Sequence, residues 1–291
     1  MYRTVCLVLG LLFLMVPGVF AKTVGDDLGY QYTSDSDGVR NQSISYSSST
    51  EDVEKPFSYT VNLTRYTQKN ATSINEYSLI GQWRKELPKD QAWTVWAGAA
   101  RNDLYTFMPV SVMYEKRIST KENIWIDYSR ENIGTVEAYQ ARIYMNAYSL
   151  AYLNRLNSKM DLTATVTRNS YTDGNQQNLA KLELESRFSR QFKSILIGSY
   201  NDADRANFGT YYAPKDEKVL SIRPEYTVGI GQGYLTLSTT QGLLARNSTG
   251  HIRVYDYNIN YQIGSFSTGY TYSKEDTYTS RTYKISHQTE W

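Results

Sequence analysis

The sequence predicts an all-β chain closed into an antiparallel transmembrane barrel. Three features carry that prediction: apolar and polar residues alternate with a period of two, the alternating segments are long, and tyrosine is in great excess. The 291 residues include 27 tyrosines, and 31 Lys and Arg face 29 Asp and Glu, leaving a net charge of +2. A mean hydropathy of −0.53 is too polar for a bundle of membrane helices. Abundant aromatics at low net charge exclude a disordered chain. The small charge excess gives no reason to expect a nucleic-acid partner.

The N-terminus sets the compartment. Arg3 is followed by an apolar run from Val5 to Val16, a Pro17-Gly18 break, and small residues at Val19 and Ala21. This reads as a cleaved secretory signal peptide over 1–21. The run is too short for a membrane-spanning helix. The one cysteine, Cys6, lies inside that segment, so an exported chain of this size is not a disulfide scaffold. Residues 22–27 are expected as a short periplasmic segment and 28–291 as the barrel.

Strand follows strand from Leu28 onward. Tyr255, Tyr257, Ile259, Tyr261 and Ile263 alternate with Asp256, Asn258, Asn260 and Gln262. Ala180, Leu182 and Leu184 alternate with Lys181, Glu183, Glu185 and Arg187, and Leu220, Ile222, Tyr226 and Val228 with Ser221, Arg223, Glu225 and Thr227. Leu162, Ala164 and Val166 alternate with Asp161, Thr163, Thr165 and Thr167. Segments of about 9 to 12 residues exceed the soluble average of roughly 5 to 6 and match a tilted membrane strand. No amphipathic helix is expected.

About sixteen strands are expected, the first at 28–33 and the last at 281–291, or fourteen if the first pair stands outside the wall. Turns at one end are short, such as that at Gly264, with the long connection from Ser49 to Lys55 the one exception, whereas 202–217 and 170–177 at the other end are longer and polar. With short turns periplasmic, both termini lie in the periplasm. Segment 138–154 is overlong and changes apolar parity between Met145 and Tyr148, which suggests a bulge. Tyr226, Tyr255, Tyr257, Tyr261, Tyr270, Tyr272 and Tyr283 suit the two water–lipid boundaries. The last strand places Tyr283, Ile285, His287 and Trp291 on one face. That ending resembles the signal by which the bacterial barrel-assembly machinery recognises outer-membrane proteins, with His287 departing from it.

A sixteen-strand wall leaves an aqueous channel unless loops fill it. The same alternation turns Asp161, Lys181, Glu183, Glu185, Arg187, Arg223, Glu225, Asp256 and Lys284 inward, together with Glu115, Arg117, Asp127 and Glu290. Acidic groups outnumber basic ones, and Ser, Thr and Asn fill the remaining places. This suits hydroxyl-rich, weakly charged solutes. Phe208, Tyr211 and Tyr212 in the long 202–217 connection could stack on sugar faces at the outer mouth or fold inward as a constriction. No enzyme is indicated. GxSxG, HExxH, Walker and dinucleotide motifs are missing, and the mature chain keeps only His251 and His287. Asp35-Ser36-Asp37-Gly38 lacks the distal ligands of a calcium loop and reads as a tight turn. No catalytic residue, metal or cofactor is expected.

Several turns together resemble the barrel of bacterial exopolysaccharide export porins, the group of the poly-N-acetylglucosamine export porin, and the small YaiO-like outer-membrane barrels. The residues are Asp35-Ser36-Asp37-Gly38, the run Glu131-Asn132-Ile133-Gly134-Thr135-Val136-Glu137-Ala138, Asp173-Gly174-Asn175, and Tyr211-Tyr212-Ala213-Pro214-Lys215. The resemblance implies a sixteen-stranded pore in the outer-membrane lipid passing a carbohydrate polymer to the surface. The large export porins carry periplasmic helical repeats ahead of the barrel, whereas only Lys22 to Asp27 precede the first strand here. Contacts to a periplasmic scaffold would then come from a separate subunit. The alternatives are a diffusion porin for oligosaccharide uptake and a plugged structural or adhesive barrel.

Overall fold

The computed structural model describes residues 23–50, 57–68, 73–207, 210–246, 250–275 and 278–290. The signal segment, Phe208 and Trp291 lie outside these. The strands are β1 (Thr23–Asp35), β2 (Arg40–Thr50), β3 (Phe57–Thr67), β4 (Ile74–Leu87), β5 (Gln91–Asn102), β6 (Thr106–Phe107), β7 (Val110–Arg117) and β8 (Glu122–Asn132). A helix, α1 (Val136–Ala141), comes next. Then follow β9 (Tyr144–Asn157), β10 (Met160–Tyr171), β11 (Gln176–Arg187), β12 (Phe192–Ala203), β13 (Glu217–Ile230), β14 (Gly233–Arg246), β15 (Gly250–Ile263), β16 (Phe266–Glu275) and β17 (Tyr278–Glu290).

Apart from β6 and β7, which both pair with β5, each strand pairs antiparallel with its neighbours in the chain, and β1 also pairs with β17 (Tyr32 opposite Tyr283), so the sheet closes on itself. β6 and β7 keep one register on β5, interrupted at Met108-Pro109 where proline has no N–H to donate. They form a single wall strand, which makes sixteen. An even number puts both termini at one end, called here the terminal end; the opposite end carries the longer loops.

Alternation decides which face is which. Leu150, Val166, Leu182, Leu196, Leu220 and Ile259 are all exposed and occupy the outward face, as expected of a wall bathed in acyl chains. The predicted girdle tyrosines share that face, some stacked across strands, as Tyr270 on Tyr283 with centroids 4.8 Å apart. At the first far-end turn, Asp35 Oδ1 accepts from the N–H groups of Asp37 and Val39, and Gly38 takes φ 83°.

Two expectations are corrected. β1 begins at Thr23, so most of the expected 22–27 segment is wall strand. Segment 138–154 is not one bulged strand. Its first residues are α1, and β9 starts at Tyr144 with an unbroken register on β8. The parity change falls inside β9, where the inward Met145 packs against the loop cluster of Tyr171, Ala203, Tyr211 and Ala213 while Tyr148 faces outward.

Candidate functional site

The lumen is built from the inward faces. Register places all nine predicted lumen residues there, with Asp161 opposite Glu185, Glu225 opposite Lys193, Asp256 opposite Ser273 and Lys284 opposite Gln31. Six of them are ion-paired. Towards the terminal end a ladder runs round the wall from β9 to β13. Arg155 lies 3.6 Å from Asp161, and Arg187 2.6 Å from both Asp161 and Glu185. Lys193 then bridges Glu185 at 3.4 Å and Glu225 at 3.1 Å. Lys181 pairs with Glu183 at 2.9 Å, and Arg84 with Glu86 at 2.7 Å and Glu115 at 3.4 Å. Among the described residues Arg223, Asp256 and Lys284 make no ion pair.

The remaining wall, from β15 through β17 and β1 to β3, is different. Its inward residues are mainly hydroxyls and amides that pair across strands: Ser267 with Ser286 at 2.7 Å, Thr33 with Thr282 at 3.0 Å, and Ser47 with Thr60 at 2.9 Å. Asn62 donates to Ser78 of β4 at 3.2 Å.

Sequence reasoning missed several lumen groups. The sequence pattern puts Arg155 in a turn, but β9 runs on to Asn157. Lys193, Arg84 and Glu86 belong with the ladders. Trp96 of β5 and Trp125 of β8, both half-buried, also face inward, opposite Gln82 and Glu115. In β5 apolar residues occupy both faces, so alternation gave no signal.

α1 narrows the far mouth. Thr135 caps it, accepting from Ala138 N–H at 3.2 Å, and Arg142 ends it in the left-handed region at φ 55°. So short a helix is held by tertiary contacts. The fully buried Tyr139 reaches the inner wall of β3 and β4, its hydroxyl donating to Glu76 Oε2 at 2.7 Å and its ring 4.9 Å from that of Tyr66. Asn132 donates to the same carboxylate oxygen at 2.9 Å. Burial above all, and the neighbouring carboxylate, drive the Tyr139 hydroxyl pKa far above its usual value. A Cβ on Gly134 would meet the Tyr66 ring at 3.0 Å, so the loop lies close against the wall. The segment from β8 to β9 thus crosses to β3 and β4, which are not its sheet neighbours.

A second loop locks against the first. Thr135 Oγ1 donates to Thr210 O at 2.5 Å. Tyr211 is 4% exposed, stacked on Tyr171 with centroids 4.1 Å apart, and donates to Asp173 at 2.8 Å. Burial, then that hydrogen bond, push its hydroxyl up to about 12. Tyr211 therefore builds the loop and presents no open ring face. Tyr212 is half-exposed, its hydroxyl held by Glu217 while Arg246 lies 5.5 Å over its ring. His287 faces outward beside Ser265, and His251 is exposed. Among the described residues no group of His, Cys, Asp and Glu could hold a metal.

Among solved structures the chain is similar to a bacterial polysaccharide outer membrane secretin, with a TM-score of 0.70 and 9% identity over 91% of this chain and 98% of that one. It is also similar to OccK3 (OpdO) of Pseudomonas aeruginosa, at TM-score 0.53 and 9% identity over 92% and 95% of the two chains. The match to OccAB2 of Acinetobacter baumannii has TM-score 0.53 and 9% identity, over 94% and 100%. No family model matches the sequence, and no curated protein does. At such identities the fold is what is shared. The fold they share is a closed antiparallel β-barrel, here of sixteen wall strands.

Proposed function

We propose that this barrel is an outer-membrane channel for carbohydrate, and that it secretes an exopolysaccharide. The observation that carries the reading is the character of the inward face. Hydroxyls and amides line one side, two indoles stand among the polar groups of the other, and most charges there are neutralised in pairs. A chain of neutral or partly cationic sugar meets many weak contacts and no deep trap, which is what throughput requires. Trp96 and Trp125 offer flat apolar faces to sugar rings, a role first expected of the loop aromatics. The likeness in fold to a polysaccharide outer membrane secretin supports export. The terminal end is assigned to the periplasm because its turns are the shorter ones. Tyr283, Ile285 and Trp291 are assigned to recognition by the assembly machinery.

Uptake of oligosaccharide by diffusion is the second reading. It is favoured by one feature, the inward-folded loop carrying α1, which narrows the mouth as a size filter would. Planar-bilayer conductance of the purified barrel tests both, with neutral, cationic and anionic oligosaccharides added to either side. Current interrupted by neutral and cationic sugars, and little by anionic ones, is the expected result. Stronger block from the terminal end supports export, and from the loop end uptake. A sealed barrel indifferent to sugar would overturn both in favour of a plugged structural barrel.

A further inference from the structure

The outer wall carries a feature that conduction does not use. Among the described strand residues, the outward band at the loop end is strongly basic. Arg101, Arg168, Arg253, Lys274 and Arg281 are all exposed there and make no ion pair, and Arg40 and Arg65 extend the band across β2 and β3. The one acidic side chain in that band is Asp202, whose Oδ1 accepts Asp216 N–H at 3.0 Å. At the terminal end the outward charges balance, Asp26 and Glu122 against Lys85 and Lys116. A chain of net charge +2 thus concentrates uncompensated positive charge on one lipid-facing rim.

Below this rim the wall has an apolar trough of about 640 Å³. It lies between two adjacent rows of outward side chains. One row runs through directly paired residues: Trp93, Tyr114, Ile126, Leu150, Val166 and Ala180, ending at Tyr200. The other runs Val112, Tyr128, Tyr148, Arg168 and Asn178. Strands in a barrel tilt, so such rows climb obliquely across the wall. The trough rises from Trp93, near the terminal end of β5, to Arg168, near the loop end of β10. Arg168 there donates to the neutral Gln176, whereas Lys218, 5.8 Å over the Tyr200 ring, is paired with Asp216 at 3.0 Å.

The structure assigns this trough and its basic head as a binding site for a phosphorylated, acylated lipid, namely the lipopolysaccharide of the outer leaflet. An acyl chain occupies the trough and a phosphate meets Arg168, with the rest of the basic rim holding neighbouring molecules. Charge complementarity selects an anionic head, and the trough selects an acyl chain. The assignment rests on the outer-membrane location and not on the solute conducted. It also orients the barrel with its loop end outward.

The test measures lipid retained by the detergent-purified barrel, by native mass spectrometry, on titration with hexa-acylated bisphosphorylated lipopolysaccharide, its dephosphorylated form, or phosphatidylglycerol. Arg168→Gln should weaken binding of the phosphorylated form about fivefold, from roughly one unit charge at a membrane surface. Ala180→Trp, which fills the trough, should weaken it by about tenfold or more. Heat-modified gel mobility confirms that each variant is folded, and Arg168, being exposed, tests the site even if Ala180→Trp does not fold. Equal binding by wild type and Arg168→Gln, or by the dephosphorylated form, would overturn the assignment. Phosphatidylglycerol displacing lipopolysaccharide at equal concentration would overturn the choice of lipid. Both substitutions face outward, so conductance and its block by sugar should not change.

Discussion

The two arcs of the inner wall solve one problem by different chemistry. From β4 to β13 charged groups bridge from strand to strand beside pairs such as Ser149 with Thr167, whereas from β15 through the seam to β3 hydroxyls and amides paired over 2.7 to 3.2 Å predominate. An ion ladder is directional and fails when one member is removed, because the partner keeps its charge. A hydroxyl ladder is forgiving, since water replaces either partner at little cost. Rigidity is thus concentrated in one arc, which also carries the two indoles, and weak polar contacts are spread over the other, with α1 reaching from the rim of the first to the wall where the two meet.

The largest effect is expected where the arcs are joined. Tyr139→Ala removes the buried ring that seats α1, at a cost of about 3 kcal/mol of docking energy, and single-channel current should rise. An unchanged current would show that α1 does not limit the mouth. In the ion-paired arc, Asp161→Ala leaves Arg155 and Arg187 without their shared carboxylate. A loss of about 1–2 kcal/mol is expected in denaturant titration, moderated because the ladder borders water. The paired loops should also respond to alkali. The Tyr211 hydroxyl rises from 10.0 to about 12, so its contribution is complete below pH 10 and is lost as pH climbs through about 12. Labelling of a cysteine placed at Thr210 should accelerate over that interval. Smallest is the hydroxyl arc: Thr33→Val with Ser267→Ala should shift stability by less than about 0.5 kcal/mol while shortening sugar block. A loss as large as that of Asp161→Ala would erase the distinction between the arcs.

The barrel was legible because period-two alternation survives wherever one face meets lipid. β10, β11, β13 and β15 show it cleanly, and their inward charges followed from it. The mouth was not legible. A six-residue helix is too short for its periodicity to register, and Tyr139 is fixed by Glu76, a residue 63 positions earlier. Tyr211 read as an open aromatic because its partner Tyr171 comes from another hairpin. Arg155 was hidden because charged residues at a strand end look like turn, and Trp96 and Trp125 because lumen aromatics break the binary pattern they sit in.

The pairing of β1 with β17 has a consequence for how the molecule comes into being. Tyr32 and Tyr283 meet at the seam, and Thr33 and Thr282 share a hydrogen bond across 249 residues. Neighbouring hairpins can zip early, but this last join waits for the end of the chain and carries the highest contact order in the molecule. Until then two unpaired edges stand open, each a template for another chain. A nascent copy cut short of its final strand would keep both edges, and would be marked for proteolysis by its inability to become a ring.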